Sequence, residues 1–361
     1  MQRRRFLEKS GAIAGLATLA APALAQSSPS VKWRMSTSWP KSLDTMYGSA
    51  EQMCKRIGEL TDGKFDIRPF AGGELVPPAQ NMEAISNGTI ECNHVLASAF
   101  IGKNTAVAFD TGLPFGLNAR QHNAWMQYGG GMQAMRELYK KYNVVNFVCG
   151  NVGVQMGGWY RKQIKTVADL DGLKIRIGGI GGMVMSKMGA VPQQIAAADI
   201  YPALEKGTID AAEWIGPYDD QKLGFNKVAP FYYYPGWWEG GLQLDLYINQ
   251  KAFDALNAEQ KAIVESAAAH AHVVTQARYD VKNPLALKQL VGAGAKLRPF
   301  PADLMTEAFK TSMALYDELS QKNQNWAKVY GDLARFRADQ NLWFRFTEAT
   351  FDRFMQSQKL G

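Results

Sequence analysis

Between Leu173 and Asp220 the chain sets a charged residue inside each of two apolar, strand-like runs. Arg176 stands between Ile175 and Ile177, and Glu213 comes just before Trp214 and Ile215. An isolated charge held away from water is very costly, so such positions take charges that are paired, metal-bound or ligand-bound. Two of opposite sign predict a site, and the rest of the chain is organised around this stretch.

Ser30 to Ser36 alternates apolar and polar residues as a half-buried first strand does, and Trp39-Pro40 closes it. Met46, Ala50, Met53, Ile57 and Leu60 then recur at near-helical spacing up to Thr61-Asp62-Gly63. Lys64 to Phe70 reads as the next strand, Glu83 to Asn87 as the end of a second helix, and Thr89 to Val95 as a third strand. This is the α/β pattern, in which ligands sit just beyond the carboxyl ends of parallel strands. His94, Val95 and Leu96 fall there, and so does Ser98 to Phe100.

A helix is expected over Ala119 to Tyr142, followed by a β run from Val144 to Cys149 that leads through Gly150 to Gln155 into a second lobe. The Arg176 and Glu213 strands belong to that lobe, and Leu242 to Asn249 brings the chain back. Ala252 to Tyr279 reads as a long helix, and Phe309 to Leu319 with Leu333 to Met355 as further helices. The expected divisions are a leader over 1–25, a first lobe of 31–150 plus 242–285, a second of 151–241 plus 286–320, and a C-terminal helical segment over 321–361.

With 361 residues, 47% apolar and 20% charged, the composition fits a globular protein with ample core. The formal net charge of +7 falls to +4 when residues 1–25 are set aside, and no dense basic stripe with interleaved aromatics points to nucleic acid. Arg3-Arg4-Arg5-Phe6-Leu7 reads as a twin-arginine motif, followed by an apolar run and a small-residue cleavage signal at Ala23-Leu24-Ala25; an ordinary secretory signal is the alternative. Either sends the protein to the periplasm. Cys54, Cys92 and Cys149 have no close-spaced pair and are expected as buried free thiols. Gly178-Gly179-Ile180-Gly181-Gly182 does not meet a dinucleotide fingerprint and reads as a tight strand-to-helix turn. His270 and His272 lie on different sides of a helix, which argues against a shared metal.

Each candidate has a plainer reading beside it. Arg176 offers a planar fork matched to a carboxylate, or a structural ion pair. Gln155, Glu213 and the Trp214 carbonyl are hard oxygen donors suited to sodium or calcium; alternatively Glu213 pairs with a nearby base and Gln155 satisfies backbone. Asn151 is a donor to a ligand carbonyl or hydroxyl, or a turn residue. Trp214 and Phe100 are walls of a ligand site, or core aromatics. The aromatic cluster from Tyr232 to Trp238 reads as packing, with Glu239 beside it as one more group within reach of a cation.

Arg176 in Leu-Lys-Ile-Arg, the Tyr-Pro-Ala-Leu-Glu-Lys-Gly-Thr-Ile-Asp-Ala segment and Glu213-Trp214 resemble the solute receptors of tripartite ATP-independent periplasmic (TRAP) transporters, in particular the branch that binds 2-oxo acids such as pyruvate. Lys-Ser-Leu-Asp-Thr (41–45), Gly-Glu-Leu-Val-Pro (73–77), Gly-Val-Gln-Met-Gly-Gly-Trp (153–159) and Tyr-Tyr-Pro-Gly-Trp-Trp-Glu-Gly-Gly (233–241) extend the likeness over nearly the whole mature chain. The resemblance implies a two-lobed α/β periplasmic binding protein with two hinge crossovers. It places a ligand carboxylate on Arg176 and a cation on Gln155, Glu213 and Trp214, sodium first and calcium second. A cation makes physical sense, since Glu213 and an anionic ligand in one closed cleft repel. The resemblance further implies a non-enzymatic receptor that serves membrane permease subunits, and a homodimer through a swapped C-terminal helix. Ser98-Ala99-Phe100 departs from the tyrosine-rich sequence of that branch. The other readings are a metal-assisted periplasmic enzyme acting on a 2-oxo or 2-hydroxy acid, for which the site offers no nucleophile or base beyond its metal ligand and His94, and a sensor subunit.

Overall fold

The computed structural model describes residues 30–358, so the expected leader lies outside the described residues. Eleven strands appear in chain order: β1 (Val31–Thr37), β2 (Phe65–Phe70), β3 (Cys92–Val95), β4 (Val144–Asn151), β5 (Trp159–Tyr160), β6 (Lys174–Arg176), β7 (Val191–Gln193), β8 (Ala211–Ala212), β9 (Phe231–Tyr234), β10 (Gln243–Asn249) and β11 (Lys296–Pro299). They form two sheets, ordered β2-β1-β3-β10-β4 and β11-β9-β5-β8-β6-β7, one in each of two lobes.

In the first lobe β1 runs parallel to β2 and β3, and β10 returns antiparallel between β3 and β4. β1 alternates as read, with Trp33 and Met35 buried and Lys32 and Arg34 exposed. β4 is buried at every residue, as a strand covered on both faces must be. Cys54, Cys92 and Cys149 are buried free thiols.

Among the described residues, three stretches between β4 and β11 join the lobes. The links from β4 to β5 and from β9 to β10 lie side by side, where Val152 N donates to Leu242 O at 3.0 Å. The third is one helix, Ala258–Gly292, opened by an Asn257–Gln260 capping box. Its Val264, Ala267 and Ala271 pack into the first-lobe core, and its Leu290 packs with Trp159, Ile200 and Tyr232 of the second. The helix expected over Ala252 to Tyr279 thus starts later, after a short helix Gln250–Asp254, and continues through Pro284. The helix expected over Ala119 to Tyr142 is two, Ala119–Tyr128 and Gly131–Lys140, because Gly130 takes the left-handed region at φ +88° and turns the chain.

The C-terminal helices are Ala302–Lys322, Gln324–Phe346 and Glu348–Ser357. Trp326 inserts its ring beside Phe109 of the first lobe, with centroids 4.5 Å apart, so this end of the chain braces the lobes. The last helix buries none of its residues.

Candidate functional site

β6 and β8 are parallel neighbours, with Arg176 opposite Ala212. Glu213 follows β8 directly, and its N–H donates to the Arg176 carbonyl at 2.9 Å. The two charges singled out in the sequence therefore stand side by side at the carboxyl ends of parallel strands, the place this class of sheet offers a ligand. Both line a cavity of about 440 Å³ between the lobes. Ser38, Trp39, Met46, Leu96, Ser98 and Ala99 line it from the first lobe; Gly178, Gly179, Gln194, Trp214, Trp238 and Glu239 line it from the second. The glycine run is the expected turn into a helix: Gly179 has φ +63°, and a Cβ there would come within 3.5 Å of the Ser98 side chain across the cleft.

Arg176 Nη1 donates to the Glu213 carboxylate at 2.8 Å and to the Glu213 carbonyl at 2.6 Å. Its guanidinium lies 4.7 Å above the Trp214 ring. Nε of Arg176 is buried with no partner, which leaves part of the donor fork uncommitted. Burial raises the Glu213 carboxyl well above its ordinary range against the pull of Arg176, and burial together with the nearby Glu213 raises Glu239 likewise. Behind them Asp220 accepts from Trp159 Nε1 at 3.0 Å and from Tyr232 OH at 2.7 Å, and burial pushes it up to about 7. In the lining one guanidinium stands against two carboxyl groups, Glu213 and Glu239, an imbalance that protonation or a bound cation relieves.

The neutral oxygens nearby fit a hard cation. Gln155 Nε2 donates to the Trp214 carbonyl at 3.3 Å, while Gln155 Oε1 is buried without a partner. Gln155 N also donates to the Glu239 main-chain carbonyl at 3.4 Å, which joins the two residues through their backbones. Among the described residues no three His, Cys, Asp or Glu converge, so a cation here has to draw on amide and carbonyl oxygens as well as carboxylates. Gln155, Glu213, Glu239 and the Trp214 carbonyl could hold it. Asn151, the last residue of β4, accepts from Gly153 N at 2.8 Å as a turn residue does, yet its Nδ2 is buried without a partner.

Two sequence candidates stand apart from the cleft. His94 is fully buried: Nδ1 accepts from Trp39 Nε1 at 2.8 Å, and the other nitrogen donates to the Cys149 carbonyl at 3.0 Å. Both ring nitrogens are engaged, and burial lowers the imidazole to about 4, so His94 braces the floor under the crossing and presents nothing to a ligand. Phe100 is buried in the first-lobe core, its ring 6.4 Å from that of Tyr247, because the short helix Ala97–Phe100 turns Ser98 and Ala99 toward the cleft instead. Glu239, which the sequence marked as one more group within reach of a cation, is a member of the lining, as are Trp39 and Trp238. The signal for Glu239 was a carboxylate directly after the buried pair Trp237-Trp238.

The family described as bacterial extracellular solute-binding protein, family 7, matches residues 35–323. The chain is 47% identical over 331 residues to the monocarboxylate 2-oxoacid-binding periplasmic protein all3028 of Nostoc sp., a match spanning 92% of this chain and 91% of that one. Of solved structures, a TRAP transporter solute binding protein from Bordetella bronchiseptica matches with a TM-score of 0.90 and 63% identity over 91% of this chain and 98% of that one; it is described as a mixed-occupancy dimer with copurified calcium and picolinate in one active site and an apo site. A TRAP periplasmic solute binding protein from Pseudoalteromonas atlantica, with bound sodium and pyruvate, matches with a TM-score of 0.87 and 34% identity over 91% of this chain and 99% of that one.

Proposed function

The chain belongs to the bacterial extracellular solute-binding proteins of family 7, and we propose that, as a periplasmic TRAP receptor, it closes on a small 2-oxo monocarboxylate and delivers it to the membrane permease. The observation that carries this reading is the free Arg176 Nε in a two-lobed cleft beside two carboxyl groups whose charge burial disfavours. Arg176 takes the ligand carboxylate. Glu213, Glu239, Gln155 Oε1 and the Trp214 carbonyl would hold a cation, sodium first and calcium second. When bound it supplies fixed positive charge that lets an anion enter a cleft already rich in carboxylates. Asn151 Nδ2 and the Trp214 ring complete the ligand contacts. The enzymatic alternative had His94 as its base, and both nitrogens of that ring are committed to structural partners.

The C-terminal helices expose Leu342, Trp343, Phe346, Phe351 and Phe354, each more than half accessible. A run of large apolar side chains on terminal helices calls for a cover, and a second copy of the chain is the proposed one. A mass by light scattering that stays monomeric at micromolar concentration removes this element. The receptor reading itself is tested by calorimetry with pyruvate in sodium and calcium buffers, with product analysis of the same mixture. Binding with pyruvate recovered unchanged is expected; turnover overturns it.

A further inference from the structure

The motif Lys41-Ser42-Leu43-Asp44-Thr45 has no part in the cleft chemistry described above. In the chain Asp44 lies between two first-lobe residues that line the cleft, Trp39 and Met46, and its carboxylate meets Tyr218 and Lys222 of the second lobe. Tyr218 OH lies 3.0 Å from each Asp44 oxygen. Lys222 donates to the same carboxylate, and to the Ser42 carbonyl at 3.2 Å. From the helix that joins the lobes, Lys282 donates to Asp44 at 3.1 Å and to Tyr218 OH at 2.6 Å, and Arg278 donates to the Asp44 carbonyl at 3.2 Å. The ammonium groups of Lys222 and Lys282 lie 4.3 and 4.2 Å from the Tyr218 ring. Burial opposes the charge on Asp44, yet hydrogen bonds from Lys222, Lys282 and Tyr218 hold its carboxyl down at about 2.

The second-lobe half of this cluster is not independent of the ligand site. Tyr218 and Lys222 sit on the helix Pro217–Leu223, which follows Glu213, Trp214 and Ile215 of the cleft by a single turn of chain. We propose that Asp44 is a positioning residue for ligand capture. It latches the second lobe to the first as the cleft closes, and so sets the closed fraction of the unliganded receptor and the rate at which captured ligand escapes. A binder whose competent state is only partly populated loses apparent affinity in proportion to that fraction. Two lysines and a phenol on one carboxylate, with the Arg278 guanidinium 3.8 Å from it, also form the kind of surface charge network that outweighs an isolated pair. The proposal rests on the receptor reading but makes no use of which acid binds.

The test is Asp44→Asn, which keeps the shape and removes the charge, with Asp44→Glu as the conservative variant and Lys222→Gln as the partner. Spin labels placed on the two lobes report their separation without ligand, and stopped flow with pyruvate and sodium reports affinity and escape. Expected are a longer mean separation for Asp44→Asn, a dissociation constant raised about five- to twentyfold with most of the change in the dissociation rate, and partial rescue by Asp44→Glu. The double variant Asp44→Asn with Lys222→Gln should lose less than the sum of the two singles. Lower thermal stability with separation and escape rate unchanged would make Asp44 a local brace and overturn the latch. If pyruvate does not bind, the distance measurement still decides the latch, and the failure counts against the receptor reading alone.

Discussion

Arg176 Nη1 contacts Glu213 twice, at the carboxylate and at its main-chain carbonyl, 2.8 and 2.6 Å away. The anchor proposed for the ligand is thus already partnered before a ligand arrives, and the free Nε marks the edge of the fork that remains. Ligand binding here redistributes an existing pair.

Arg176→Lys keeps the charge but not the fork that spans two acceptors. Truncating a buried hydrogen-bonded charge pair costs ~2–5 kcal/mol, more than tenfold in affinity. Calorimetry with pyruvate should show that loss, and an unchanged dissociation constant would put the anchor elsewhere.

Glu213→Gln should weaken cation and ligand together, because each stabilises the other's site by the same coupling energy. Wild type stripped of sodium and calcium should lose affinity in the same way. A ligand affinity indifferent to both treatments would leave Glu213 as an ordinary ion-pair residue.

Binding should release protons at mildly acidic pH. Burial raises Glu213 and Glu239, so the free cleft keeps protons that an entering cation displaces. The sign for affinity follows: it weakens as pH falls through the raised values and levels off above them. The raised carboxyls also contribute stability that is present below the ordinary carboxylate range and lost as pH rises, and the bound cation offsets that loss. Identical binding enthalpies in two buffers of different ionisation heat at pH 6 would contradict proton release.

His94→Gln should cost stability while sparing ligand contacts. Leaving Trp39 Nε1 or the Cys149 carbonyl unsatisfied costs ~1–3 kcal/mol. Because burial depresses the imidazole from 6.5 to about 4, its contribution is present above 6.5 and lost as pH falls through 4. Denaturant midpoints across that window should therefore fall less steeply with acid in the variant, and a parallel pair of curves would count against the assignment.

Closure should be a rotation about the paired crossings near Gly150 and Leu242. Gly150 has φ +156°, and a Cβ on it would stand 2.9 Å from the Leu244 side chain, so a larger residue there disturbs the joint. X-ray scattering should give a smaller radius of gyration with saturating pyruvate and sodium, and superimposable profiles would sink the hinge.

The sequence by itself determined the alternation that builds β1, the charges Arg176 and Glu213 set among apolar neighbours, and the glycine run that turns β6 into its helix. Each is a local signal: side-chain period and the cost of burying a charge act over a few residues. The tertiary structure alone decided that His94 is a brace, since its partners lie 55 residues away on either side in the chain, at Trp39 and Cys149. It also brought Glu239 to the cleft, carried the joining helix through to Gly292, and set Asp44 against Tyr218 and Lys222 across the lobes. Whether a buried polar group is a scaffold or a site depends on which donors and acceptors remain unmatched around it, and those come from segments that sequence spacing does not relate.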